Sequence, residues 1–281
     1  GALADELGLE LQTIYIGGGT PTTLSAEQLS RLFSVVREQF DCSALSEFTV
    51  EAGRADTITE EKLWAIQQGG ATKISINPQT MNNKVLETIG RQHTAEQVRN
   101  AYHLARDMGF KNINMDLIAG LSGDTYESFC KTVDSVIKLA PESITVHTLS
   151  VKRSSALYRD QESIEIAKTN PTVRMTSYSQ RTLAEKGYHP YYLYRQKNTL
   201  QNLENVGFCQ PGHEGIYNIY IMEELQTILA AGAGGVTKLV NPSSGFIERV
   251  FNFKFPYEYL DRFDQILGRK EKVREFYETN F

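Results

Sequence analysis

Two periodicities of apolar residues alternate along the first 150 positions. Short runs at 11–16, 47–50, 72–76, 111–117 and 143–149 read as strands. Between them, apolar residues recur at helical spacing. Ser25 caps the first such segment, with Gln28 at capping-box distance and Leu29, Leu32, Phe33 and Val36 on one face. Thr59 opens the next, with Glu60, Glu61 and Lys62 in its first turn, Leu63, Trp64 and Ile66 turned inward, and Gly69-Gly70 at its end. Residues 82–89, 94–108 and 125–139 continue the pattern, the last two closed by Gly109 and by Ala140-Pro141. Strands separated by helices of this length imply right-handed βαβ units and a parallel sheet. Five strands are too few for a closed eight-stranded barrel by residue 150. A doubly wound sheet would fit the count, yet no dinucleotide-binding glycine fingerprint accompanies it.

After Val151 the rhythm changes. Residues 152–170 are polar and serine-rich and read as a loop; 171–186 read as a helix. The stretch Tyr188-His189-Pro190-Tyr191-Tyr192-Leu193-Tyr194-Arg195 is dense in tyrosine. Residues 218–229 read as a helix running into Gly232-Ala233-Gly234-Gly235, and 251–281 as an aromatic, charged, helical tail. The expected organisation is an α/β domain over 1–150 and a mostly α appendage over 151–281 that packs on it.

Composition narrows the function classes. A net charge of −5 leaves no basic excess for broad contact with phosphate backbones, which argues against a nucleic-acid partner. No apolar run approaches the length of a membrane helix, and the mixed, acidic start does not resemble a secretory signal. A cytoplasmic protein is the simplest reading. The three cysteines, Cys42, Cys130 and Cys209, are too far apart in sequence for a disulfide framework or a closely spaced metal motif.

The sharpest local feature is Gly17-Gly18-Gly19-Thr20-Pro21-Thr22, directly after a strand. Glycines there let a ligand approach exposed backbone groups, though three of them also suit a tight turn into the next helix. Glu51, Gln79 and Asp116 lie at or near later strand ends, and Arg91 lies in a following loop. In parallel α/β folds, ligands sit outside the carboxyl ends of strands. A pair of carboxylates, an amide and an arginine at that end suit a zwitterion carrying a sugar; arginine matches a carboxylate with two parallel hydrogen bonds. Each residue alone also reads as a helix cap or a solvated strand end.

Taken in order, Ile16-Gly17-Gly18-Gly19-Thr20-Pro21-Thr22, Val50-Glu51, Pro78-Gln79, Ile89-Gly90-Arg91-Gln92-His93 and Asn114-Met115-Asp116-Leu117-Ile118-Ala119-Gly120-Leu121 resemble the radical S-adenosylmethionine (SAM) coproporphyrinogen III dehydrogenases. The likeness is strong over 11–150 and looser through Asn205-Val206-Gly207-Phe208 and 229–234. Residues 192–198 look most like the clostridial-type branch. The resemblance implies a partial (β/α)6 barrel of which the five strands are the second to sixth. It implies that the loop Gly17 to Pro21 meets the SAM ammonium, with Glu51 near that ammonium or near a second SAM. Gln79 and Asp116 would bond the ribose hydroxyls, Arg91 would pair with the methionine carboxylate, and Ile118 would pack near the adenine. It also implies a first strand and a Cys-x3-Cys-x2-Cys loop holding a [4Fe–4S] cluster ahead of the glycines. Sixteen residues precede Gly17 and none is cysteine. An N-terminally truncated form, retaining no catalytic or metal-ligating residue and inactive alone, is therefore expected, with the barrel edge left unpaired covered by residues 1–10, by the tail or, through self-association, by another copy of the chain.

For the parent protein the resemblance implies oxidative decarboxylation of two propionates of coproporphyrinogen III in haem biosynthesis, supported by a reductant. Tyr191, Tyr192, Tyr194, Arg195, Lys197 and Lys238 are candidate contacts for that tetrapyrrole, the tyrosines also reading as a half-buried strand. His147 lies near the end of the fifth strand, facing either the site or the core. Two rivals remain open: a haem-binding or haem-transfer relative, and a cluster-free TIM-like lyase whose glycine loop holds a phosphate.

Overall fold

The computed structural model describes residues 1–150, 171–195 and 203–280. The loop expected over 152–170 and the candidate Lys197 lie outside them. The elements are α1 (Ala2–Glu6), β1 (Thr13–Ile16), α2 (Ala26–Gln39), β2 (Glu47–Glu51), α3 (Glu60–Gln68), β3 (Lys73–Ser75), α4 (Asn83–Thr88), α5 (Ala95–Asp107), β4 (Ile113–Ala119), α6 (Tyr126–Leu139) and β5 (Ser143–Thr148). Then come α7 (Thr172–Glu185), β6 (His189–Tyr194), β7 (Asn205–Cys209), α8 (Ile216–Met222), β8 (Val236–Asn241), β9 (Phe246–Phe251), α9 (Pro256–Asp261) and α10 (Phe263–Asn280). Two compact units result: a larger one from 12–38 and 45–215, and a smaller one from 1–11, 39–44 and 216–281.

The larger unit is built on a seven-stranded sheet of order β1-β2-β3-β4-β5-β7-β6. The five expected strands are parallel neighbours in sequence order. β7 then runs antiparallel to β5, and β6 antiparallel to β7. The sheet is thus a partial barrel, with β1 and β6 as its edge strands. The boundary expected at residue 150 falls inside this unit, since α7, β6 and β7 belong to it. Among the described residues after 150, four strands accompany the four helices. Pro190 fits in β6 because an edge strand can spare a donor, and a register shift between Pro190 and Tyr192 marks a bulge there.

Local chemistry sets the helix starts. Ser25 and Gln28 bond reciprocally, as do Thr94 and Gln97. Thr59 and Thr125 accept from Lys62 N and Ser128 N. Trp64, expected inward, is 56% exposed; Leu63, Ala65 and Ile66 take the buried face of α3 and leave Trp64 outside it.

One face of the sheet is apolar. Phe48, Val50, Ile74, Ile76, Ile113, Met115, Leu117, Ile144, Val146, Val206 and Phe208 pack with Leu29, Phe33, Leu63, Ile66, Val98, Phe129, Val133, Met175 and Leu183 from the helices in one core. Because side chains alternate across a strand, the other face receives the intervening residues, and nearly all of them are polar.

In the smaller unit, β8 and β9 form an antiparallel hairpin. Asn241 accepts from Ser243 N and Ser244 N at its turn. Leu239 and Val250 pack with Val273 and Phe276 of α10 and with Leu3 and Leu7. The helix expected over 218–229 ends at Met222; Glu224 turns left-handed (φ 55), and Ile228 bridges to Lys238 instead. Among the described residues no helix is long and apolar enough to cross a membrane.

Candidate functional site

The polar face of the sheet carries a chain of cross-strand hydrogen bonds. Asn114 Nδ2 donates to Ser75 Oγ at 2.9 Å and to Asp116 Oδ1 at 2.7 Å. Thr145 Oγ1 donates to Asn114 Oδ1 at 3.3 Å, and Ser75 Oγ donates to Asn77 Oδ1 at 2.7 Å. His147 Nε2 lies 3.6 Å from Asp116 Oδ2, and its Nδ1 lies 3.3 Å from the Tyr194 hydroxyl. Burial alone would raise the Asp116 carboxyl; the bonds and charge of His147, with those of Asn114 and Thr145, outweigh it and hold the group below the usual carboxylate range. Asp116 is therefore an ionised acceptor at neutral pH.

Glu51 ends β2 beside the glycine loop. It accepts from the Tyr15 hydroxyl and, at 3.3 Å, from Gly18 N. Burial, reinforced by the Asp116 charge, pushes its carboxyl up against those two bonds. Gly17 has no room for a side chain: a Cβ there would stand 2.7 Å from Glu51 Cδ and also crowd Tyr15. Gly18 has φ +90, which glycine adopts without strain, and open space surrounds the Cβ direction of Gly19. Thr20 and Pro21 lead from the loop into a short 3-10 turn, Pro21–Thr23. With its Gly18 N–H committed to Glu51 and a carboxyl at its lip, this loop is a poor seat for a phosphate and a better one for an ammonium.

Gln79 carries two local costs. Its φ is 65, left-handed for a non-glycine residue, and its buried Oε1 has no hydrogen-bond partner. Its backbone is clamped on β4: Gln79 N donates to Asp116 O and Ile118 N donates to Gln79 O, each at 2.9 Å. A strained residue with an orphaned buried acceptor marks a place prepared for a ligand donor. Ile118 lies across from His147 in the sheet register.

Arg91 stands on the loop after α4, where Gly90 has φ +73 and Arg91 N donates to Leu86 O. Burial and then the neighbouring Arg54 charge lower its pKa. Its guanidinium makes no hydrogen bond or ion pair among the described residues, whereas Arg54 is committed to Asp56 at 2.5 Å. His93 ties this loop to the Gln79 turn, its Nε2 lying 3.3 Å from Pro78 O.

The tyrosine candidates separate. Tyr192 is buried, stacks on Tyr194 at 6.3 Å between centroids, and reaches Thr145 Oγ1 at 3.4 Å. It braces the polar face instead of lining an open cleft. Tyr194 joins the site through His147. Arg195 pairs with Glu204 at 2.9 Å. Lys238 belongs to the smaller unit and is committed to Glu224 and Ile221 O.

The sequence reading named Glu51, Gln79, Asp116 and His147, and they are brought to one end of the larger unit's sheet. Tyr15, Ser75, Asn77, Asn114 and Thr145 join them in the structure; for the last four the signal is strict alternation of polar and apolar residues along β4 and β5 and along β3 and the two residues after it. Gly17 to Pro21, Glu51, Gln79, Asp116 and Arg91 fit SAM, since they offer acceptors for an ammonium and hydroxyls and an uncommitted cation for a carboxylate. A [4Fe–4S] cluster finds no such fit. Cys130 sits on α6 beside Tyr126, Cys209 at the end of β7 aligned with the first residue of β5, and Cys42 in the smaller unit.

Residues 2–136 match the Radical SAM superfamily. The chain is 46% identical over 271 residues to the oxygen-independent coproporphyrinogen-III oxidase-like protein HemZ of Bacillus subtilis, covering 96% of this chain and 54% of that protein. It is 34% identical to the heme chaperone HemW of Lactococcus lactis, covering 80% of this chain and 57% of that one. The chain thus spans a little over half the length of these curated relatives. The solved structure of coproporphyrinogen III oxidase (HemN) from Escherichia coli superposes with a TM-score of 0.70 at 21% identity, over 94% of this chain and 60% of that one. Membership of that superfamily implies SAM and a [4Fe–4S] cluster as cofactors. The chain belongs to the radical SAM superfamily, among its haem-related members.

Proposed function

We propose that the polar end of the sheet binds SAM and that the whole protein, working in the cytoplasm with a reductant, acts on a tetrapyrrole by oxidative decarboxylation of propionate side chains. The observation that carries the SAM reading is Gln79, buried, left-handed and unpaired at Oε1, clamped against the ionised Asp116. Gln79 Oε1 and Asp116 accept the two ribose hydroxyls, Glu51 and the Gly17 to Pro21 backbone hold the methionine ammonium, Arg91 takes the methionine carboxylate, and Ile118 packs on the adenine. A [4Fe–4S] cluster, where present, supplies the electron for radical chemistry. This chain's own share is binding and orientation, and alone it is expected to bind SAM without cleaving it.

Gln79→Gly separates binding from folding. Glycine relieves the left-handed backbone and removes the orphaned acceptor, so the variant is expected to be about 1 kcal/mol more stable or unchanged. It is expected to bind SAM about tenfold more weakly, the loss of one hydrogen bond of about 1.4 kcal/mol. Denaturant titration and calorimetry with SAM read both; unchanged SAM affinity would remove Gln79 from the site.

For the substrate, the full-length protein with its cluster reconstituted anaerobically is given coproporphyrinogen III and SAM. Decarboxylated porphyrinogen is the expected product. The second reading, haem binding and transfer, is favoured by the 34% identity to a heme chaperone. Tight stoichiometric haem binding with SAM cleavage but no decarboxylation would replace the first reading with the second.

A further inference from the structure

At the opposite end of the larger unit's sheet, three donor atoms of different chemistry converge. Cys209 closes β7, fully buried, and pairs in register with both Ser143, the first residue of β5, and His189, the first residue of β6. His189 Nε2 lies 3.6 Å from Cys209 Sγ and 2.9 Å from Glu214 Oε1. The three ligand atoms all lie within 4.8 Å of one another. A single ring nitrogen carries at most one proton, so Nε2 cannot donate to both neighbours. The Cys209 thiol in turn donates toward Glu214, and the three atoms form one compact cluster of metal-ligand types. The sulfur–nitrogen separation is also the tetrahedral edge expected around zinc, about 3.6 Å for Zn–S of about 2.3 Å and Zn–N of about 2.05 Å.

The loop that brings Glu214 is held in place before any ion arrives. Gln210 N donates to Glu142 O at 2.9 Å, His213 N donates to Gln210 O at 3.1 Å, and the His213 ring contacts Asn112 Oδ1. Gly212 N lies 3.4 Å from Glu214 Oε1 and aims the carboxylate. Cys209 is sealed from solvent, while the His189 and Glu214 side chains are 42% and 35% exposed, so an ion has a path in and a fourth position open to water. Burial, then the Glu214 charge, pushes the Cys209 thiol up to about 12, with Lys73 opposing. Without a cation the sulfur is therefore a thiol.

We propose that His189, Cys209 and Glu214 form a zinc-type site, with three protein ligands and one open position, that ties the start of β6, the end of β7 and the 210–215 loop together. Sulfur, imidazole and carboxylate together select zinc over the oxygen-preferring magnesium and calcium. The site is independent of the SAM reading, which concerns the other ends of the strands.

The test uses the 281-residue chain, stripped with chelator and titrated with zinc(II), and with cobalt(II) as a spectroscopic substitute. One equivalent is expected to bind, to give a cobalt–thiolate charge-transfer band, and to raise the melting temperature. Cys209→Ser is expected to abolish the band. Glu214→Gln, on a partly exposed loop where folding is not at stake, is expected to weaken zinc at least about tenfold. Cys42→Ser and Cys130→Ser are expected to leave binding unchanged. No stoichiometric zinc on the parent chain, or binding that survives both Cys209→Ser and Glu214→Gln, would overturn the proposal.

Discussion

Gly207→Ala is expected to cost the larger unit about 3 kcal/mol, near the upper end for overpacking a dense interior. Gly207 faces the polar side of β7, directly across from Tyr192 of β6. The Tyr192 ring lies over the glycine, and a methyl group built there would overlap Cε1, Cδ1 and Cζ. The ring has nowhere to go. It is buried, stacked on Tyr194, packed edge-on against Tyr191 at 4.7 Å, and bonded to Thr145. Tyr192→Ala is expected to destabilise by a similar amount through the cavity it leaves. In the double variant the clash is gone, so it should be about as stable as Tyr192→Ala alone. That non-additivity, read from denaturation midpoints at constant m-value, is the signature of direct contact. A Gly207→Ala midpoint within about 0.5 kcal/mol of the parent would show that the ring does not depend on the missing side chain.

The same pair shows where sequence reading reached its limit. The βαβ rhythm of residues 11–150 was legible because each helix start carries its own cap, at Ser25, Thr59, Thr94 and Thr125, and each parallel strand is an uninterrupted short run. Neither device marks β6 and β7. Pro190 breaks the first, Gly207 thins the second, and their place in the sheet depends on the pairing of β7 with β5, more than fifty residues earlier in the chain, and of β6 with β7. Trp64 misled because aromatic character was read as burial, whereas the helical position decided exposure.

Within the site, Gly17, Glu51, Gln79 and Asp116 were legible as residues at strand ends. What binds them into one surface was harder to see. A parallel sheet covered by helices on both faces reads as near-continuous apolar runs. Here Lys73-Ile74-Ser75-Ile76-Asn77, Asn114-Met115-Asp116-Leu117 and Ser143-Ile144-Thr145-Val146-His147 alternate strictly. That alternation means one face is left without helices and can be polar. The orphaned Oε1 of Gln79 and the Tyr15–Glu51 bond follow only once the register is known.

Arg91→Ala is expected to lower SAM affinity about a hundredfold, about 3 kcal/mol, the scale for removing one partner of a desolvated, hydrogen-bonded charge pair. The fold should not suffer. Arg91 is partly buried, holds no hydrogen bond or ion pair among the described residues, and stands beside the like charge of Arg54. Its removal therefore takes away desolvation cost and the repulsion of Arg54, against only the smaller attraction of Asp56. A partly buried cation in this condition is tolerated when something anionic completes it. Asp56, the carboxylate whose charge reaches Arg91, is already occupied by Arg54 through two bonds at 3.2 and 2.5 Å. Arg91→Lys tests the geometry. A lysine keeps the charge but offers no planar fork, so it is expected to recover only part of the affinity. S-adenosylmethionine lacking its carboxylate supplies the complementary arm: the parent protein should lose affinity for it, and Arg91→Ala should lose almost nothing further. If Arg91→Ala instead weakens both ligands equally, Arg91 acts by shaping the loop that His93 ties to the Gln79 turn, and the carboxylate must be held elsewhere.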